Sequence, residues 1–123
     1  MFTKIRVISI PVINQQVARE FYTDVLGCKV EADMPFGTDD KTRWISLQLP
    51  GVDTRISLVT WFPQMPPGSL QGLVLATDDI SAAHAELKMR GLMISDIKNQ
   101  PYGREATFSD PDGNGWVLQQ PAS

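Results

Sequence analysis

At 123 residues, with 42% hydrophobic and 20% charged side chains, the chain has the size and apolar content of one globular domain and excludes a disordered one. Its net charge of −3 and lack of a basic stripe argue against nucleic acid as a partner. The single cysteine, Cys28, excludes an internal disulfide, and the absence of an apolar leader or of any run approaching ~18 apolar residues argues against secretion and membrane insertion, so a cytoplasmic protein is expected.

Ile5 to Val12 reads as a first strand, with Ile8, Ile10 and Val12 on one face and Val7, Ser9 and Pro11 on the other. A helix follows over Gln15 to Leu26. Asn14 stands at its N-cap, Gly27 stands just past its end, and Val17, Phe21 and Val25 recur at helical spacing with Tyr22 and Leu26 beside them. Lys29 to Ala32 reads as a second strand, with Cys28 as a buried residue at its edge. The polar stretch Asp33 to Thr42, with Pro35 and Gly37, reads as a mobile loop.

Arg43 to Leu49 and Arg55 to Trp61 both alternate with period two around the turn Pro50–Asp53. Ile45, Leu47, Ile56 and Leu58 form the apolar side and are expected under the first helix. The other side carries Trp44, Ser46, Gln48, Arg55, Ser57, Val59 and Trp61, a mixture that suits the wall of a wet pocket better than a plain solvated face. Phe62 to Ser69, with three prolines, is the one linker-like stretch.

Beyond it the order repeats. Leu70 to Thr77 reads as a strand, and Asp78 or Asp79 caps a helix with Ile80, Ala83 and Leu87 on one side, ended by Gly91. Leu92 to Ile97 reads as the next strand, then a loop at Pro101-Tyr102-Gly103. A closing hairpin turns at Asp110-Pro111-Asp112-Gly113, where Pro111 presets φ and Gly113 and Asn114 tolerate positive φ. Val74 and Leu118 are expected under the second helix. The single domain spanning 1–123 is therefore a tandem of two βαβββ modules, 1–62 and 69–120, of α+β class.

Two motifs in this order, Phe21-Tyr-Thr-Asp-Val-Leu-Gly27 and the terminal Phe108-Ser-Asp-Pro-Asp-Gly-Asn114, make the chain resemble the vicinal oxygen chelate superfamily. That superfamily includes glyoxalase I, the bleomycin resistance proteins and the extradiol dioxygenases. The resemblance spans nearly the whole chain. It implies two half-barrels enclosing a cup, within one chain or across a dimer. Its enzymes hold a divalent metal there through four His, Gln or Glu side chains. Carried across one by one, those positions fall on Val7, Ser57, Leu73 and Val117. Three have no donor atom and the fourth only a neutral hydroxyl, so no metal cofactor is expected. The lone histidine, His84, lies in the second helix and reads as a surface residue. Asp110 and Asp112 read as turn formers, not as an acid–base pair.

The expectation is then a metal-free small-molecule binder resembling the bleomycin-type sequestering proteins, working as a homodimer without nucleic acid or membrane. Its ligand-binding candidates are Trp44, Ser46, Gln48, Arg55, Ser57, Trp61, Tyr102, Arg104 and Gln119. An isomerase, lyase or dioxygenase with a non-standard site is the alternative.

Overall fold

A computed structural model describes residues 1–122. The elements run β1 (Val7–Pro11), α1 (Gln15–Asp24), β2 (Lys29–Pro35), β3 (Arg43–Gln48), β4 (Arg55–Val59), β5 (Leu73–Ala76), α2 (Ile80–Met89), β6 (Lys98–Gln100), β7 (Gly103–Ser109) and β8 (Gly115–Pro121). They form two four-stranded sheets, ordered β1-β4-β3-β2 and β5-β8-β7-β6. In each, the first strand runs parallel to its neighbour and the remaining pairs are antiparallel. The tandem βαβββ order is thus repeated strand for strand. No helix among the described residues is long and apolar enough to cross a membrane.

α1 begins as its cap dictates: Asn14 accepts from the amides of Gln16 and Val17 at 3.0 and 3.1 Å. It ends at a glycine in the left-handed region, Gly27 with φ 76°. Its buried seam is Gln15, Ala18 and Tyr22, continued by Leu26, one residue round from the Val17–Phe21–Val25 stripe. Val17 is 48% exposed. The seam is set by polar demands that an apolar count does not register. The Gln15 amide donates to the carbonyls of Arg43 and Leu58 and accepts from the Arg43 N–H. The Tyr22 hydroxyl donates to Asp110 and accepts from the Trp116 indole.

The expected faces hold in the first sheet. Ile45, Leu47, Ile56 and Leu58 are buried, and α1 packs on β3 and β4, while Trp44 lies on the opposite side. In the second sheet Leu118 is buried, but Val74 is 54% exposed and does not lie under α2. The parallel register pairs Leu75 with Leu118 and Val74 with Val117, so Leu75 takes the inner position and Val74 the outer one. Leu73, paired with Trp116, is likewise turned inward and away from the outer face.

Two boundaries move. β2 runs on to Pro35, so Asp33 to Pro35 belongs to a strand and not to the loop; Asp33 receives the Arg43 guanidinium at 2.9 and 2.5 Å, which fastens the strand's end. Leu92 to Ile97 does not form a ladder. Only Ile94 bridges, to Phe108, and the strand proper is Lys98–Gln100. Ser95 explains this: its carbonyl accepts from His84 Nε2 at 2.8 Å, and its hydroxyl, in place of that carbonyl, accepts the Thr107 N–H. His84 is therefore a half-buried structural donor, not a free surface residue.

The hairpin turn ties the modules together. Asp110 accepts four hydrogen bonds: from the Tyr22 hydroxyl at 2.7 Å, from Asn114 Nδ2 at 2.8 Å, and from the amides of Asp112 and Asn114 at 2.9 Å each. Asn114, fully buried, also donates to the Pro11 carbonyl of β1 and accepts from the Leu70 N–H just past the linker. Gly68 of the linker passes so close to this turn that a Cβ would stand 2.2 Å from the Asp112 carbonyl oxygen, which only glycine permits. Around this clasp, Phe108 and Trp116 of the second sheet join Tyr22, Ile10 and Leu58 in one core. Both sheets thus turn their helix-bearing sides inward, and their other faces look outward.

Candidate functional site

The outward face of the first sheet collects most of the polar and aromatic candidates. Register sets Ser9, Ser57 and Ser46 abreast on β1, β4 and β3. Arg55 and Gln48 lie on one side of this serine row, with Trp44 and Val59 on the other. β2 supplies Glu31 through an irregularity: pairing shifts between Val30 and Ala32, and the bulge turns Glu31 onto this face. Glu31 then reaches across β3. It accepts from the Ser46 hydroxyl at 2.9 Å and from Arg55 Nε on β4, while Arg55 Nη1 donates to the Asp53 carbonyl. The guanidinium bond first, and the serine second, hold the Glu31 carboxyl below the usual glutamate range.

Ser57 differs from its neighbour. It is fully buried beneath the side chains of this face, and its hydroxyl is the one buried side-chain polar atom without a hydrogen-bond partner among the described residues. Buried hydroxyls are almost always paired, so an orphan marks a place where something is missing or strain is tolerated.

Beside the serine row stands a cluster of rings. Phe36 packs 4.6 Å from Trp61 and 5.8 Å from Trp44, the two tryptophans are 6.3 Å apart, and Phe62 lies 6.2 Å from Trp61. Phe36 and Phe62 are 41% and 46% exposed, so the cluster is a partly open aromatic surface and not a sealed core. Sequence reasoning missed Glu31 and Phe36. The signal for Phe36 was available in principle, since running β2 on to Pro35 carries Phe36 past it to bond the Thr42 carbonyl, two residues before Trp44 on the neighbouring strand. A bulge such as the one at Glu31 leaves no such mark.

The remaining candidates lie apart. Gln119 is half-buried on the outward face of the second sheet. Tyr102 sits at the β6–β7 turn, 54% exposed, with its hydroxyl on Glu105 at 3.0 Å. Arg104 pairs with Gln120 and points to the helix side, where it lies 3.4 Å from the Ser81 hydroxyl of α2. The second sheet's outward face carries a hollow of about 610 Å³ along Gly72, Thr107, Ser109 and Val117. Its lining offers methyl groups, the hydroxyls of Thr107 and Ser109, and the Gln71 amide.

A divalent metal finds no fit in these residues. The open positions of β1, β4, β5 and β8 present Val7, Ser9, Ser57, Val74 and Val117, and no group of three or more His, Cys, Asp or Glu side chains converges among the described residues. The nearest carboxylate, Glu31, is already committed to Arg55. Asp110 is saturated as a turn former. Cys28 is buried, and burial pushes its thiol up to about 12, which leaves it protonated and unreactive at neutral pH. What the face presents is rings and hydroxyls.

Comparison with known proteins agrees with this fold. The family model of the Glyoxalase/Bleomycin resistance protein/Dioxygenase superfamily matches residues 4–118. Among solved structures, TnmS3, described as an antibiotic binding protein from Streptomyces sp. CB03234, is 45% identical with a TM-score of 0.89, covering 98% of both chains. A glyoxalase/bleomycin resistance protein from the same Streptomyces strain is 46% identical with a TM-score of 0.82, covering 95% of this chain and 100% of that one. The uncharacterized protein YetH of Bacillus subtilis (strain 168) is 30% identical over 124 residues, covering 98% of this chain and 100% of YetH.

Proposed function

From the premise that the chain belongs to the Glyoxalase/Bleomycin resistance protein/Dioxygenase superfamily, we propose that it is a metal-free, cytoplasmic small-molecule binding protein that holds its ligand without turning it over. The observation that carries this reading is the aromatic cluster of Phe36, Trp44 and Trp61 set beside a serine row whose Ser46 and Ser57 are buried, at a place where the superfamily's enzymes need imidazole or carboxylate ligands. The similarity to TnmS3 supports a binding role of the antibiotic-sequestering kind.

The ligand site is completed by a second copy of the chain. The outward faces of the two sheets turn away from each other within one chain, so neither can close over a molecule alone. In a two-fold dimer, the ring-bearing face of one copy meets the hollow second face of the other, and the same contact repeats on the far side. Ligand is enclosed on both sides, as a small-molecule site requires.

Three measurements test the proposal together. Light scattering should give twice the mass of one 13.7 kDa chain. Native mass spectrometry of the purified dimer should show an organic adduct that Trp44→Ala abolishes. Elemental analysis should find no stoichiometric transition metal. One zinc, nickel, iron or manganese per chain, lost on Ser57→Ala, would overturn the reading and make the protein an enzyme candidate.

A further inference from the structure

We infer that the ligand is an uncharged, flat aromatic molecule that presents a hydroxyl or carbonyl group to the orphan hydroxyl of Ser57. The inference rests on the binding role proposed above and specifies the chemistry of that site.

The charges on the first sheet's face are already matched. Arg55 is the cation bonded over the serine row, and its Nε and Nη1 are spent on Glu31 and on the Asp53 carbonyl, while Arg6 adds its charge to the same Glu31 carboxylate. Arg6 and Lys29 are exposed at the rim, on the side of the row away from the rings. An anionic group lowered onto Ser57 would lie beside the Glu31 carboxylate, which crosses β3 above Ser46. A cationic group there would meet the Arg55 guanidinium instead. Either charge would also lose its water in a position where Ser57 is completely buried. A neutral hydroxyl or carbonyl avoids all three costs. The Ser57 hydroxyl serves both, since it carries one donor hydrogen and acceptor lone pairs.

The ring part of the ligand follows from the other side of the row. Trp44 leads directly from Ser46 into the cluster with Trp61 and Phe36, whose planes are inclined by 31° to 46°, not stacked tight. A flat molecule can slide against or between such rings while its polar end reaches the serines. Glu31, bonded to the neighbouring Ser46 and Arg55, is a side chain that would have to swing aside for a ligand to reach Ser57. Its side chain is 38% exposed and its pairing with Arg55 lies at the surface, the class of ion pair that opens at little cost.

The test is binding of a matched set of probes to the dimer by calorimetry, checked by tryptophan quenching: 2-naphthol, 2-naphthoate, and 2-methoxynaphthalene, which can accept but not donate. The naphthol should bind at least tenfold more tightly than the naphthoate. Ser57→Ala should weaken the naphthol about 3- to 10-fold, the worth of one hydrogen bond, and move the naphthoate little. Glu31→Gln should strengthen the naphthoate and leave the naphthol within twofold. Preference for the naphthoate in the wild-type protein, abolished by Arg55→Gln, would overturn the uncharged-ligand inference while leaving the binding role standing. Loss of all three probes by equal factors in Ser57→Ala would also overturn it, as the mark of a structural effect. No binding of any probe, with no organic adduct on the purified dimer, would overturn both.

Discussion

The two sheets have one topology and two different outward faces. The first carries Ser9, Ser46 and Ser57, a bridging Glu31–Arg55 pair and four neighbouring rings, and most of that face is sealed by its own side chains. The second presents Val74, Ala76, Thr107 and Val117, with Glu105 and Gln119 paired toward one end, around a shallow hollow. Duplication gives both sheets the same strand order; what each face presents is decided by the alternate residues, which the core does not constrain. On the reading proposed above, the first sheet supplies the recognition surface and the second a plainer wall. The inward sides have not diverged in this way, because both feed the core around Tyr22, Phe108 and Trp116.

The shared core gives the largest effect. If the modules were independent, damage at the hairpin would stay in the second sheet. Asp110→Ala should instead destabilise the whole chain by about 3–5 kcal/mol, because it strands the Tyr22 hydroxyl, the Asn114 amide and two backbone N–H groups at once. Denaturant unfolding should remain a single transition moved to lower midpoint. Two separated transitions would show that the clasp does not couple the modules. Burial first, and the Asp110 carboxylate next, push the Tyr22 phenol far above its ordinary range, so it donates at every physiological pH; this contribution should be flat through neutrality and decline once pH rises above the unfolded tyrosine value.

The division between faces predicts the next effect. Trp44→Ala should cost about 1–3 kcal/mol of ligand affinity, as expected for a buried aromatic anchor. Thr107→Ala on the opposite wall should cost less than about 0.5 kcal/mol, because a wall contributes enclosure and no specific contact. Calorimetry with the co-purifying ligand reads both. Equal losses would mean that the second sheet is not the passive partner.

The alternation of β3 and β4 made the division visible from sequence on the first sheet, since Ile45 and Leu47 could be told from Trp44 and Ser46 by period alone. On the second sheet the same reasoning placed Val74 inward. Leu73, Val74, Leu75 and Ala76 form a continuous apolar run with no alternation to read, and only pairing with β8 decides which side is which. The helix seam failed for a related reason: Gln15 and Tyr22 are buried by the hydrogen bonds they make, which an apolar stripe does not count. Ser95 ended a strand through side-chain bonding that no local pattern announces. The turn Asp110–Asn114 was legible as a turn, but its role as the clasp between modules depends on Tyr22, far away in the chain.

A smaller effect separates two adjacent serines. Ser46 is bonded to Glu31, and Ser57 is bonded to nothing in the chain. Removing the Ser46 hydroxyl should cost about 0.5–1.5 kcal/mol of stability. Removing that of Ser57 should be neutral or should stabilise by about 1 kcal/mol, because it deletes a buried polar group without breaking a bond. Opposite signs in Ser46→Ala and Ser57→Ala, measured by denaturant midpoint without ligand, would show a hydroxyl kept for binding at the expense of stability. A loss of more than about 1 kcal/mol in Ser57→Ala would show that a bound water or backbone group satisfies it.

The smallest effect is the acid titration of Glu31. Its carboxyl is held below the glutamate range by Arg55 first and Ser46 second. A carboxyl depressed in the folded state contributes stability that is present above the unfolded glutamate value, and that contribution is lost as pH falls through the folded one. The contribution is therefore constant at neutral pH and disappears only in acid. Glu31 is exposed and its pair is screened by solvent, so the change should be seen in the titration of the side chain more clearly than in the midpoint of unfolding. Side-chain NMR should find Glu31 titrating below the other glutamates in the wild-type protein and returning to their range in Arg55→Gln, with a smaller return in Ser46→Ala. An unshifted Glu31 in the wild type would mean that the bridge over the serine row is not formed in solution, and the recognition face of the first sheet would then be as open as the wall of the second.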